Sequence, residues 1–330
     1  MFPRSARLGP ALVIVLGTTL LAGCTGESAD PHAPPAPVSD TPAATSPPTP
    51  AEPPPALDPK SAAPPSADST RRTGCPPVPA YPTPACTGVP DGVRLTVHQG
   101  DWEIKEAGTR VRGVHVTGRL LIAAPGITIV DSQIDGFVTN FSSGPVQHQY
   151  SITDSTVGAV GADCNLETGV GGAHYTATRV EIVAHGDGFG DAGDDVRVQD
   201  SYVLLCAKTD AHSDGIQGFR GGRNVVVKHN TFDQRQAPRD GITAPVFISD
   251  GSKDATVVDN LLAGGSETLR VYDGGGQQIV TGNRIVDKAW VFGPVSASCA
   301  TIEKWADNRL VEIDKNYVVT SVGAVLPCVA

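Results

Sequence analysis

The sequence predicts an all-β solenoid: a single-stranded parallel β-helix with coils of about 25 residues, behind a disordered Pro-rich tether. Three observations predict it. A short strand–step–strand template recurs through the C-terminal part of the chain. Glycine is abundant, with 37 residues, alongside many Val, Ile and Thr. No 3.6-residue apolar period runs through the repeats, and glycines interrupt every copy, which excludes a helical solenoid.

The copies read "ITIVDSQI" from Ile127, "YSITDSTV" from Tyr150, "VRVQDSYV" from Val196 and "VVVKHNTF" from Val225. They continue as "TVVDNLL" from Thr256, "IVTGNRI" from Ile279 and, more loosely, "WADNRL" from Trp305, while "YTATRVEI" from Tyr175 fills the gap with a degenerate step. Each is an alternating strand, a two-residue polar step and the start of another apolar strand. The second step position runs Ser132, Ser155, Val180, Ser201, Asn230, Asn260, Asn283 and Asn308. Small hydrogen-bonding side chains at one turn of successive coils can stack, each satisfying the backbone of its neighbour. A sandwich needs hairpin turns every 8–12 residues, and the turn signals here separate parallel copies instead.

The N-terminus reads as a targeting segment. Arg4 and Arg7 precede an apolar run from Ala11, shorter than the roughly 20 residues of a membrane span, ending in Leu21-Ala22-Gly23-Cys24. Small residues before that cysteine have the form of a bacterial lipobox, with Cys24 lipidated; the alternative is an ordinary secretory signal with an incidental cysteine. Residues 24–74 are Pro-, Ala-, Ser- and Thr-rich, a composition that buries too little apolar surface to order itself. The expected organisation is therefore a signal peptide over 1–23, a lipidated tether over 24–74, and a β-helix over 75–330. The expected location is the outer face of the cell membrane.

Net charge is −10, with no basic excess to suggest nucleic acid, and the domain is expected to be a monomer. The six remaining cysteines, in an exported domain, read as three disulfides. The most local pairing is Cys75–Cys86, Cys164–Cys206 and Cys299–Cys328, although spacing leaves the connectivity open. No cysteine pair has zinc-ligand spacing, and there is neither a Gly-x-Ser-x-Gly elbow nor a phosphate loop.

The repeats "NVVVKHNTF" and "ATVVDNLLAGG", with "HSDGIQ" between coils, resemble exported right-handed parallel β-helix proteins of the pectate-lyase-like superfamily, in particular a group from Gram-positive bacteria, and the resemblance implies the right-handed coil. The resemblance covers the chain from Cys75 to Ala330. It implies a fold used to bind and cleave polysaccharides. Its lyases neutralise a uronate carboxylate with Ca²⁺ or a basic group and abstract the C5 proton with Arg or Lys.

Candidate chemistry lies in two stretches one coil apart. "HSDGIQ" contains His212 and Asp214, and "HGDGFG" contains His185 and Asp187. Stacked, these would place two imidazoles and two carboxylates in one patch, where like charges push one pKa up, as acid–base chemistry requires. Equally, Asp-Gly before Ile or Phe is a natural turn into a buried strand, and His229 in the step position reads as structural. "HSDGIQ" also resembles the "NTDGI" segment of polygalacturonase-type hydrolases, but only Asp214, Gly215 and Ile216 match directly, and "PVFISDGS" stands where paired aspartates are expected. For a lyase, Lys208 is the candidate base and Arg220 the candidate carboxylate neutraliser, within a basic strip of Arg220, Arg223, Lys228, Arg235 and Arg239. Asp191, Asp194 and Asp195 in a glycine-rich loop would suit Ca²⁺, or form a solvated acidic loop. The partner implied is a polysaccharide or cell-wall glycan, to be cleaved by a lyase or hydrolase, epimerised, or bound without catalysis.

Overall fold

The computed structural model describes residues 74–141, 146–218, 221–249, 251–272 and 274–328. The calls on Cys24, the targeting segment, the tether and Arg220 lie outside these residues.

Each coil contributes one short strand to each of three sheets, and the strands of each sheet pair in parallel with those one coil away. Sheet 1 runs from Thr96–His98 and Val114–Val116 to Arg284–Val286 and Arg309–Ile313. Sheet 2 runs from Trp102–Ile104 to Gly293–Ala297. Sheet 3 has nine strands, from Arg110–Arg112 to Ile302–Ala306. The long strand Glu181–Asp191 turns the corner between sheets 1 and 2 and belongs to both. The final strand, Val319–Val325, folds back antiparallel onto Arg309–Ile313. The chain is thus a parallel β-helix, and its one described helical segment is the 3₁₀ turn Cys299–Thr301.

The core follows from strand alternation. In sheet 3 the register stacks Val111, Ile129, Ile152, Ala177, Val198, Val227, Val257 and Val280 inside the coil, all buried. Their immediate neighbours along each strand face outward. Tyr150 and Tyr175 stack at 5.3 Å between ring centroids, and their hydroxyls donate to Gly171 O (2.8 Å) and Gly190 O (3.2 Å).

The expected side-chain ladder forms at the corner between sheets 3 and 1. Ser155 Oγ accepts the N–H of Ser132 (3.1 Å), and Asn230 Oδ1 accepts that of Ser201 (2.9 Å). Asn260, Asn283 and Asn308 each accept the N–H of the preceding asparagine at 3.0–3.1 Å. Asn260 uses its whole amide: Oδ1 also accepts Asn230 Nδ2, while Nδ2 donates to Val227 O and Asn283 Oδ1. The first residue of the step adopts a left-handed conformation, as at Asp131, Asp154, Asp200, His229, Asp259 and Asp307. Asp tolerates that region better than most residues, which accounts for the recurring Asp-Ser and Asp-Asn. His229, one of these, is held between Asp200 Oδ1 (2.6 Å) and Ala80 O (3.0 Å).

Three features had no sequence signature. The first coils are shorter: Ser132 Oγ accepts the N–H of Val114, 18 residues earlier. Residues 74–93 form a strap outside sheet 1, where Val89 N–H donates to Thr156 Oγ1 and Gly88 N–H to Arg179 O. Its Tyr81 enters a second apolar cluster with Leu261, Ala263, Val286 and Val311. The C-terminal hairpin covers the same side, its Tyr317 hydroxyl meeting Tyr202 and Asp233. The disulfides are Cys75–Cys86, Cys164–Cys206 and Cys299–Cys328, the most local pairing.

Candidate functional site

The two His-x-Asp-Gly stretches meet in sheet 2 with Phe189 opposite Ile216. In this register Asp214 N–H donates to Asp187 Oδ1 (2.9 Å), and Ala244 N–H donates to Asp214 Oδ1 (2.9 Å). The aspartates therefore form a staircase in which each carboxyl holds the backbone of the next coil. The glycines follow from the same approach: a Cβ on Gly188 would lie 2.4 Å from Gly215 O, and one on Gly215 2.2 Å from Pro245 O.

The two carboxyls differ in exposure. Asp214 is fully buried, and its Oδ2 has no hydrogen-bond partner. Burial first, then the Asp187 charge, push its pKa well above the ordinary carboxyl value. Asp187 is half-buried, and its pKa is pushed up to about 6. Burial dominates and the Glu167 charge adds to it, against the Asp214 N–H bond and His212. A carboxyl poised near neutrality at a partly open position can take or give a proton.

The expected patch of two imidazoles and two carboxylates does not form, and loop length is the reason. In the first coil a single left-handed residue, Ala184, turns the corner between sheets 1 and 2, and His185 is drawn inside. Its Nδ1 lies 2.9 Å from Glu167 O and its Nε2 3.1 Å from Gly136 O. Burial outweighs both bonds and lowers its pKa, so the neutral ring donates to one of them. In the next coil residues 206–212 bulge outward, pinned at their base by Cys164–Cys206, and carry Lys208 and His212 into solvent. Asp187, His212 and Lys208 remain at the surface; His185 and Asp214 lie beneath it.

The acidic cluster is also rearranged. Asp191 is buried, its Oδ1 accepting the N–H of Gly193 and its Oδ2 the hydroxyl of Ser252; its pKa is pushed up to about 6, mainly by burial. Asp194 accepts the N–H of Arg223, and Asp195 binds Asn224 and His174. The three carboxyls diverge, and no metal-sized group of three His, Cys, Asp or Glu exists among the described residues. They do not fit a Ca²⁺ site. The basic strip disperses too, because the chain turns two corners along it. Arg223 pairs with Asp254, Lys228 faces out from sheet 3, and Arg235 joins Asp233 and Tyr317 outside sheet 1.

Sheet 2 presents a second group that the sequence reading missed. Gln217, Phe247, Arg270 and Ser296 occupy one outward row on successive coils. The Arg270 guanidinium lies 4.5 Å over the Phe247 ring and 5.3 Å from that of Tyr272. Its Nε makes no hydrogen bond, with Glu267 Oε2 3.8 Å away. Tyr272 donates or accepts through its hydroxyl at Ser296, and Phe292 at the neighbouring corner is 77% exposed. Carrying the register forward from "HSDGIQ", through "APVF" to "TLRV", aligns Gln217 with Phe247 and Arg270, and that was the available signal.

A concavity lies elsewhere, on the outside of sheet 3. It has a volume of about 890 Å³ and runs over Thr128, Ser151, Thr176, Arg197, Val226 and Thr256, with His174, Asp195, Asn224 and Asp254 along one edge. The titratable cluster and this groove are on different faces.

No family model matches the chain, and no curated protein matches it. Among solved structures it is similar to the crystal structure of Dettilon tailspike protein (gp208), with 10% sequence identity and a TM-score of 0.22. The match covers 64% of this chain and 62% of that one, so the chain spans less than two thirds of the tailspike's length. A likeness of this size carries no argument about substrate or activity.

Proposed function

We propose that the sheet 2 face binds an acidic polysaccharide and cleaves it by acid–base chemistry at Asp187. The observation that carries this is one face holding both a half-buried carboxyl with a pKa of about 6 and an arginine flanked by two aromatic rings. Aromatic rings stack on sugar faces, and a guanidinium without a hydrogen-bonded carboxylate is suited to bind one. Arg270 lies three coils from Asp187 and three residues further along the strand, roughly 17 Å away at sheet spacings, so it holds a carboxylate further along the polymer. His212, close enough to Asp187 to influence its carboxyl, is the side chain beside the reacting unit.

A lyase fits better than a hydrolase. Hydrolysis needs two carboxyls flanking the scissile bond, and the neighbouring Asp214 is buried and engaged with Ala244. In the elimination, Asp187 takes the C5 proton, the C5 electron pair forms the C4–C5 double bond, and the C4–O bond breaks. The leaving oxygen then takes up a proton from solvent water, and Asp187 returns its own to solvent.

Incubating the protein with uronate polymers and following the ultraviolet absorbance of the unsaturated product tests this. Asp187→Asn should lower the rate by roughly 10²–10⁴-fold while leaving polymer binding intact, and Arg270→Ala should weaken binding. Binding-only surface attachment is the second reading, favoured by the fact that Asp187 Oδ1 already serves a backbone N–H. Retained polymer binding with no product on any uronate polymer would decide for it. The proposal also places the domain outside the membrane, held by lipid on Cys24 through the tether. A mature chain without lipid at Cys24 would refute that placement.

A further inference from the structure

We propose that the groove on sheet 3 is a second carbohydrate-binding site, which holds an extended acidic polysaccharide without acting on it. The proposal stands independently of the sheet 2 reading.

Its first support is shape. Thr128 and Thr256 lie five coils apart in one outward row, about 24 Å at the spacing of paired strands. A groove of about 890 Å³ with that length is larger than a single sugar needs and open to a chain of several.

Its second support is chemistry. The six strands from Ile127–Val130 to Thr256–Val258 project no carboxylate outward, in a protein of net charge −10. What they project instead is largely hydroxyl, at Thr128, Ser151, Thr176 and Thr256, groups that both donate to and accept from sugar hydroxyls. Arg197 stands in the middle of this row, exposed, with no ion-pair or hydrogen-bond partner among the described residues.

The groove's own carboxylates are already committed. Asp195 is bonded to His174 (3.3 Å) and Asn224 (3.0 Å). Asp254 accepts the Gln277 N–H (2.8 Å) and lies 3.6 Å from Arg223. His174, Asp195, Asn224 and Asp254 all have φ between 54° and 59°, so these residues turn successive coils and form a fixed wall. Among the described residues the floor is therefore a hydroxyl track with Arg197 as its unpaired cation, complementary to a hydroxyl-rich polymer that carries carboxylates.

Titration calorimetry of the full-length protein with polygalacturonate, alginate and a neutral glucan tests the site, using Arg197→Ala, Thr176→Trp, Arg270→Ala and the Arg197/Arg270 double variant. Thermal unfolding of each variant checks that it is folded. Arg197→Ala should weaken binding of an acidic polymer about tenfold, Thr176→Trp should obstruct the groove, and the double variant should lose more than either single. The neutral glucan should not respond to Arg197→Ala. Folded groove variants that bind like the wild type, or a wild type that binds none of the acidic polymers, overturn the site. Loss in Arg270→Ala with no loss in the groove variants leaves sheet 2 as the binding face and refutes the second site. Loss in the groove variants alone has the opposite meaning.

Discussion

At the corner between sheets 3 and 1, Asn230, Asn260, Asn283 and Asn308 hold neighbouring coils together with amides. Where sheet 1 passes into sheet 2, Asp187 and Asp214 do so with carboxyls. Both sets place an oxygen on the backbone N–H one coil away. An amide also has a donor for the carbonyl beside it, so Asn260 leaves nothing unpaired. A buried carboxylate has only acceptors and a charge, so Asp214 is left with an orphaned Oδ2 and a raised pKa. The amide ladder is built to be inert, whereas the carboxyl staircase ties local stability to protonation.

The sharpest way to break this contrast is to move one chemistry into the other's place. Asn260→Asp keeps the shape but removes the donor to Val227 O and adds a charge among buried amides. It should cost about 4 kcal/mol, read as a lowered midpoint in urea unfolding at pH 7, with partial recovery at pH 4.

Next in size is the pH dependence of the native protein. Asp187 has a folded pKa of about 6 against 3.8 for the free group, so the folded state holds a proton that the unfolded chain releases. Its stability contribution is complete below pH 3.8 and is lost as pH rises through about 6. Partial solvent screening leaves a loss of roughly 2 kcal/mol over that window. Unfolding free energies at pH 4 and pH 7.5, for wild type and Asp187→Asn, should show the slope reduced in the variant.

The reciprocal exchange, Asp214→Asn, retains the acceptor for Ala244 N–H and removes the titrating group. It should be near neutral at pH 4 and stabilising by about 1 kcal/mol at pH 7.5. Smallest is the repair of the amide ladder's one degenerate step. Val180→Ser supplies an acceptor for the Ser155 N–H but gives up a buried isopropyl group, so thermal unfolding should place the change within about 1 kcal/mol of zero.

The two ladders also differ in how readily the sequence discloses them. The amide ladder was legible because its step recurs with a strand on either side, and local spacing carries it. The staircase was legible only in register: the 27-residue offset stacked Asp187 and Asp214 correctly. Which of them would reach solvent was not legible. That depends on whether a coil turns with Ala184 alone or with residues 206–212, a difference set by loop length rather than residue type. Arg270, Phe247 and Tyr272 stayed hidden for a related reason, since coils of unequal length separate residues that share a row. The groove on sheet 3 is made of threonines and serines that any outward strand position could hold.

The strap of residues 74–93 has a consequence for how the molecule comes apart. A stack of coils in which each touches only its neighbours can fray from either end, because no coil depends on a distant one. Tyr81 and Val89, eight residues apart, are anchored at Val286 and Thr156, so this short N-terminal segment laces together coils that are otherwise connected only through those between them. Peeling the terminal coils then requires releasing a segment fixed near the middle. An otherwise one-dimensional array acquires a long-range clasp, and the coils beneath it are made to open together.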